Sequence, residues 1–173
     1  MIKNFITLFL SLHIIANATP AIVPFNYQTD IAAVETILKD VWSALFWMPH
    51  YDHQLIKVIF EDKHPGDPIA RNHPLSISVL KDNGQLIGFI TYYQPNSDTG
   101  HIELLAIDKA YKGLGCGKKL INYVQNWFAR LGCKYLQLYV YTANTHAIQF
   151  YNHLGFNIKK KFPGYLLFTK QIA

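Results

Sequence analysis

The passage from His101 to Leu131 constrains the fold most, because a strand-like run turns into a helix there through a glycine-rich loop. His101 to Asp108 (HIELLAID) reads as a strand. Leu120, Ile121, Val124, Trp127, Phe128 and Leu131 then recur at the spacing of one helical face. Between them lies Lys112-Gly113-Leu114-Gly115-Cys116-Gly117-Lys118-Lys119. A strand entering a loop that opens an amphipathic helix commits this part of the chain to an α/β arrangement, and Gly132 is a good terminator for the helix.

The flanking segments extend the pattern. Ala21 to Phe25 reads as a strand that Pro24 places at an edge. Asp30 offers a cap to a helix carrying Ile31, Val34, Ile37, Leu38, Val41 and Trp42. Leu75 to Leu80 and Gln85 to Tyr93 alternate, and the Asn83-Gly84 pair joins them as a tight hairpin. Residues 94–100 read as a loop. Lys134 to Thr142 alternates again, with Leu136, Leu138 and Val140 on one side and Tyr135, Gln137, Tyr139 and Tyr141 on the other. Asn144 precedes a short helix, and Phe156 to Lys160 and Tyr165 to Lys170, divided by Pro163-Gly164, form a final hairpin. The order is a mixed α/β sheet without repeats, and 173 residues fit one domain. Half the residues are hydrophobic and 16% are charged, which excludes a disordered or collagen-like chain.

Residues 1–18 stand apart. Lys3, an apolar run from Phe5 to Ala16 and Ala16-Asn17-Ala18 have the pattern of a cleavable secretory signal, and the run is short of the ~20 apolar residues of a membrane span. The alternative is a hydrophobic N-terminal helix that stays on the protein. The domain proper is therefore expected over residues 21–173.

Charge is unevenly distributed. Residues 1–100 carry 6 Lys+Arg against 9 Asp+Glu, and residues 101–173 carry 10 against 2. A basic second half points to a polyanionic ligand: nucleic acid, membrane surface or a phosphorylated cofactor. Its lysines gather at the glycine loop and at Lys159-Lys160-Lys161, and no RNA-module motif accompanies Tyr139 and Tyr141, which argues against nucleic acid. Cys116 and Cys133 lie at opposite ends of the helix, about 25 Å apart at about 1.5 Å per residue, too far to bridge. His50, Asp52, His53, His64 and His73 match no metal-ligand spacing, and a polar loop on the substrate side is the expected reading.

Alternating glycines before a helix let backbone N–H groups converge on an anion. The nucleotide P-loop pattern fails, because Lys112 stands where its first glycine belongs and Lys119 where Ser or Thr is required. The dinucleotide fingerprint started at Gly113 also fails, for Lys118 replaces its third glycine and no acid lies between Leu136 and Tyr141.

What remains, Lys112-Gly113-Leu114-Gly115-Cys116-Gly117, resembles the pyrophosphate loop of the GNAT N-acetyltransferase superfamily, Arg/Gln-x-x-Gly-x-Gly/Ala. Asn144-Thr145-His146-Ala147-Ile148-Gln149-Phe150-Tyr151-Asn152-His153-Leu154-Gly155-Phe156 is similar to that family's NxxAxxFYxxxGF segment. The likeness extends roughly over residues 22–170 and is specific from 101 to 156. Lys112 replaces the usual Arg or Gln, keeping charge but losing the planar fork. Lys109 stands where Pro is frequent.

The resemblance implies a mostly antiparallel central sheet flanked by helices, the acyl-CoA N-acyltransferase fold, with acetyl-CoA as co-substrate and no metal. Backbone groups of Leu105, Ala106 and Ile107 are expected along the pantetheine arm, one N–H there serving the oxyanion. Lys112, Gly113, Leu114, Gly115, Cys116, Gly117 and Lys118 are expected at the pyrophosphate. Asn144 is expected at the pantetheine or as a helix cap, and Tyr151 beside the sulfur.

Acetyl transfer to an amine needs a neutral amine, stabilised charge on the carbonyl oxygen and a proton for the departing thiolate. Tyr151, with an ordinary pKa near 10, can give that proton to a thiolate whose acid is near 8.5, uphill by roughly 2 kcal/mol. Glu103 lies four residues before Ile107, which the strand period places on the same face, and it is the expected base, directly or through water; His101 is a second candidate. The acceptor is read as a primary amine: a small molecule, a lysine or a peptide N-terminus. The alternative is a noncatalytic acyl-CoA-binding module of the same fold. Acetyl-CoA logic places the domain in the cytoplasm and residues 1–18 speak for export or a membrane tether, so location stays open, as does a homodimer.

Overall fold

The computed structural model describes residues 19–45 and 75–173. The N-terminal segment 1–18, the apolar patch from Leu55 to Phe60 and the histidines from His50 to His73 lie outside these described residues. Seven strands form one sheet in the order β1-β2-β3-β4-β5-β7-β6. They are β1 Ala21–Pro24, β2 Ser76–Asp82, β3 Gln85–Asn96, β4 Thr99–Ile107, β5 Tyr135–Tyr141, β6 Asn157–Phe162 and β7 Tyr165–Gln171, with helices α1 Tyr27–Leu45, α2 Cys116–Arg130 and α3 Thr145–His153. All neighbouring pairs are antiparallel except β4 with β5, which is parallel and requires the crossover through α2.

Two cores flank the sheet. α1 buries Val34, Ile37, Leu38, Val41 and Trp42 against Val79, Leu86, Phe89, Leu104 and Ala106. α2 buries Cys116, Leu120, Ile121, Val124 and Phe128 against Ile90, Ile102, Leu136, Leu138 and Phe168. The apolar spacing in the sequence matches these faces, although Leu131, at the helix end, is 48% exposed. Cys116 and Cys133 are both free and buried.

Local chemistry explains most boundaries. Asn83 and Gly84 both take positive φ, 46° and 83°, as the two-residue hairpin turn requires. Gly132, at φ 83°, ends α2. Helix α1 starts at Tyr27, earlier than a cap at Asp30 implies. Asn26 is the cap, its Oδ1 accepting from the Gln28 amide at 3.0 Å, while Asp30 Oδ2 accepts from the Asn26 amide at 3.0 Å. Residues 94–100 are not a long loop. β3 runs to Asn96 and β4 begins at Thr99, leaving Ser97-Asp98 as the turn.

Candidate acetyl-transfer site

β4 carries an irregularity that builds the site. Thr91 pairs with Leu104 and Tyr92 with Ile102, so Glu103 is an extra residue with no opposite number on β3. The bulge resets the alternation. Ile102 joins the α2 core, as do Leu105 and Ile107, while Leu104 and Ala106 face α1. Glu103 and Ile107 therefore do not share a face, as an unbroken two-residue period predicts. The Glu103 carboxylate lies 3.5 Å from His101 Nε2, on the side of Tyr93 and Tyr139, whose rings stand 4.9 and 5.6 Å from that of His101.

β5 leaves β4 at the same level. Their parallel pairing runs from Thr99 with Tyr135 to Ile102 with Leu138 and goes no further. On the other edge, Leu104 donates its amide to Thr91 Oγ1 at 3.0 Å and Asp108 donates its amide to the Ile87 carbonyl at 2.9 Å. Amide direction alternates along a strand, so the N–H and C=O of Leu105 and Ile107 point into the gap that β5 vacates. Ala106 is different: its backbone groups turn to β3 and its side chain is buried against α1. Of the three residues expected along a ligand, Leu105 and Ile107 turn backbone groups into the gap and Ala106 does not.

The gap opens into a cleft of about 690 Å³ lined by Glu103 to Ile107, Tyr111 to Gly113, Gly115 to Lys118, Leu138 to Tyr141, Asn144 and Tyr151, among others. Its floor at the α2 end is polar. Gly113 and Gly115 adopt φ 79° and 80°, and a Cβ would be strained at either. Lys119 makes the first α-helical bond, to the Gly115 carbonyl at 3.0 Å, which leaves the amides of Cys116, Gly117 and Lys118 at the open helix end. The Lys112 and Lys118 side chains are exposed beside them. Free amides and positive charge in this arrangement suit an anion. Leu114 does not line it, its side chain being 70% exposed. Lys119 turns away and donates from Nζ to the Pro20 carbonyl.

Gly117 fits α2 closely to α3, for a Cβ there would lie 3.1 Å from Phe150 Cζ. Asn144 caps α3, its Oδ1 accepting from the Ala147 amide at 3.0 Å, and also lines the cleft. Tyr151 lies on α3 with its ring 5.5 Å from Phe156 and 6.2 Å from Phe168. It is 7% exposed, and burial pushes its phenol well above the ordinary value of 10. Tyr111, Tyr139, Tyr141, His146 and Phe150 also line the cleft and were not singled out in the sequence as site residues. Tyr139 and Tyr141 had one signal, their position opposite the buried Leu138 and Val140. Among the described residues, no group of three or more His, Cys, Asp or Glu is placed to hold a metal ion.

The glycine loop entering α2 after β4, and the Asn144-capped α3 after β5, stand in the order anticipated from the two motifs. The model of the Acetyltransferase (GNAT) family matches residues 33–156. The chain belongs to the GNAT family. A GNAT relative, an uncharacterized N-acetyltransferase of Methanocaldococcus jannaschii, is 31% identical over 94 residues, 54% of this chain and 60% of the relative. A probable spermine N(1)-acetyltransferase of Bacillus subtilis subsp. natto is 33% identical over 99 residues, 51% of this chain and 65% of that protein. The chain thus matches less than two thirds of either relative's length. Among solved GNAT structures, PaiA N-acetyltransferase from Thermoplasma acidophilum in complex with coenzyme A superposes with a TM-score of 0.69 at 17% identity, covering 88% of this chain and 99% of that one. YncA from Salmonella typhimurium, solved with acetyl-CoA, gives 0.68 at 18%, covering 90% and 95%. Both show the same fold, a mixed seven-stranded sheet flanked by helices.

Proposed function

We propose that this GNAT domain transfers an acetyl group from acetyl-CoA to a primary amine by direct attack of the amine on the thioester. The observation that carries the reading is the gap between β4 and β5, where Leu105 and Ile107 present backbone groups to an extended ligand as a missing strand would. The donors left at the start of α2, with Lys112 and Lys118, suit the pyrophosphate of coenzyme A. Acetyl-CoA supplies the activated acyl group. Solved relatives of the same fold hold coenzyme A or acetyl-CoA, which supports that choice.

The chain's own residues divide the work. A Leu105 or Ile107 amide faces the charge that develops on the thioester oxygen. Glu103, 24% exposed at its side chain and lining the cleft, takes the proton of the incoming ammonium directly or through one water. As the C–N bond forms and the C–S bond breaks, Tyr151 gives its phenolic proton to sulfur, and the second proton that the new amide nitrogen sheds returns through water to the phenolate. Burial keeps that proton in place at neutral pH and makes its transfer more uphill than the roughly 2 kcal/mol of an unperturbed phenol and thiol. His101 is 2% exposed and stands behind Glu103, which fits it to hold the carboxylate rather than to meet substrate.

Calorimetric titration with acetyl-CoA, followed by thiol release across a panel of amines and peptides, tests the proposal. Tight binding with acetylation of at least one amine is the expected result. Binding without any acetylation would instead favour a noncatalytic acyl-CoA-binding module.

A further inference from the structure

Thr91 is a polar side chain in an apolar part of the sheet. It is fully buried on β3 and does not line the cleft. Its Oγ1 accepts the Leu104 amide at 3.0 Å, across the pair that resumes the ladder directly after Glu103, the extra residue of the bulge. A hydroxyl out of water is stable only with a hydrogen bond, and a buried strand amide needs an acceptor, so each satisfies the other.

The apolar pattern does not choose where the bulge falls. Leu104-Leu105-Ala106-Ile107 is an unbroken apolar run in which Leu104 and Ala106 pack toward α1 and Leu105 and Ile107 toward the α2 core. A slip of one residue would exchange the two faces and bury the same kind of side chain on each. The far end of the run carries its own marks. Gly88 stands opposite Ile107, where a Cβ would fall 2.5 Å from Ile107 Cδ1, and the Asp108 amide donates to the Ile87 carbonyl at 2.9 Å. The near end, beside Leu105, is marked by Thr91. Were the bulge to move on to Leu104, that residue would leave its pair, and the ladder would no longer fix the direction of the next amide, that of Leu105.

We infer that Thr91 is a positioning residue for the acyl donor: its hydroxyl keeps Leu104 paired with β3 and so turns the Leu105 N–H into the gap that β5 vacates. The inference rests on the acetyl-transfer reading and deepens it. Of the two proposed oxyanion donors, Leu105 is the one nearer the bulge, and its aim depends on a side chain that meets neither cofactor nor substrate.

Thr91→Val keeps the branched shape and removes the acceptor, whereas Thr91→Ser keeps the acceptor. Both are compared with the parent, well below their melting temperatures, by kcat for thiol release and by calorimetric titration with coenzyme A. Thr91→Val is expected to lower kcat by about tenfold or more, short of the roughly 10²–10³-fold of deleting an oxyanion donor outright. It should also weaken coenzyme A by about fivefold, the worth of one hydrogen bond. Thr91→Ser should restore both. Parent-like kcat and coenzyme A affinity in Thr91→Val, with only the melting temperature lowered, would show that the bond serves stability alone and would overturn the inference. A loss that Thr91→Ser does not restore overturns it as well. Should Thr91→Val fail to fold, Thr91→Ala against Thr91→Ser reads the same hydroxyl without the methyl group. The titration needs no chemistry, so weaker binding in Thr91→Val beside a parent that acetylates no amine keeps the positioning role and removes acetyl transfer instead.

Discussion

His101 and Glu103 lie side by side on the same side of the sheet, Nε2 to Oε2 at 3.5 Å, although a bulge separates their pairing from the rest of β4. The imidazole is buried between Tyr93 and Tyr139, and its Nδ1 has no hydrogen-bond partner among the described residues. A buried ring with one nitrogen toward a carboxylate and the other unsatisfied is poorly placed to reach a substrate and well placed to orient that carboxylate. His101 and Glu103 share a face by the ordinary two-residue period, and the bulge then turns Leu105 and Ile107 toward the α2 core, so one extra residue sets the proposed oxyanion donors on a different face from the proposed base.

Glu103→Gln should lower turnover by about 10²-fold or more, the usual contribution of a positioned base. His101→Phe keeps the ring and removes the nitrogens. It should cost less turnover than Glu103→Gln while retaining acetyl-CoA binding. Turnover at saturating acetyl-CoA and calorimetric titration with acetyl-CoA check both. Unchanged turnover in Glu103→Gln would remove that residue from the mechanism.

Tyr151 makes two linked predictions, for rate and for stability. Tyr151→Phe should cost about 10²-fold in turnover with acetyl-CoA affinity retained. Its phenol is raised by burial, and that of Tyr92, buried and 3.2 Å from Ser78 Oγ, is pushed up to about 12. Above pH 10 the unfolded chain releases these protons while the folded one holds them, so stability falls as pH rises, by up to about 1.4 kcal/mol per pH unit for each group. Urea midpoints between pH 9 and 12 should drop less steeply in Tyr151→Phe than in the parent.

The order of elements and both motifs were legible in the sequence because each rests on local chemistry. Asn83-Gly84, Gly132 and Asn144 announce turns and caps through their own backbone preferences, and the α2 face repeats at 3.6 residues. Glu103 shows the limit. A bulge is a relation between two strands, and nothing within HIELLAID marks where β3 skips a residue, so a period of two carried Glu103 onto the wrong face. Ala106 was misjudged for a related reason, since the edge toward which its amide points depends on pairing with β3. Lys119 looked like part of the anion loop because it adjoins Lys118, but one step along a helix rotates the side chain by about 100°, toward Pro20.

Gly100 presses β4 against α2 so closely that a Cβ would fall 2.3 Å from Phe128 Cδ2. Phe128 cannot give way easily. It is fully buried, with Trp127 and Tyr92 rings 4.9 and 5.8 Å from its own. Gly100→Ala should therefore destabilise the domain by about 1–3 kcal/mol, a melting shift of about 2–4 °C per kcal/mol for a chain of this size. Adding Phe128→Leu should recover part of the loss, a coupling that a double-mutant cycle would measure.

Asp30 should govern the acid side of stability. Its carboxylate is nearly buried, which by itself would raise its pKa. Hydrogen bonds from Lys81 Nζ at 2.7 Å, the Asn26 amide at 3.0 Å and Thr29 Oγ1 at 3.1 Å outweigh burial and hold it below the ordinary 3.8. A lowered folded-state pKa means that the stabilisation is present above 3.8 and is lost as pH falls through the folded value. Asp30→Asn keeps the shape and removes the charge, so it should be less stable than the parent at pH 7, with Lys81 left without its partner. The gap should narrow as pH falls below 3.8, because the parent's own carboxylate is then being neutralised. Urea denaturation of both proteins at pH 7 and pH 3 measures this, and a gap of the same size at the two values would show that Asp30 acts only through its shape.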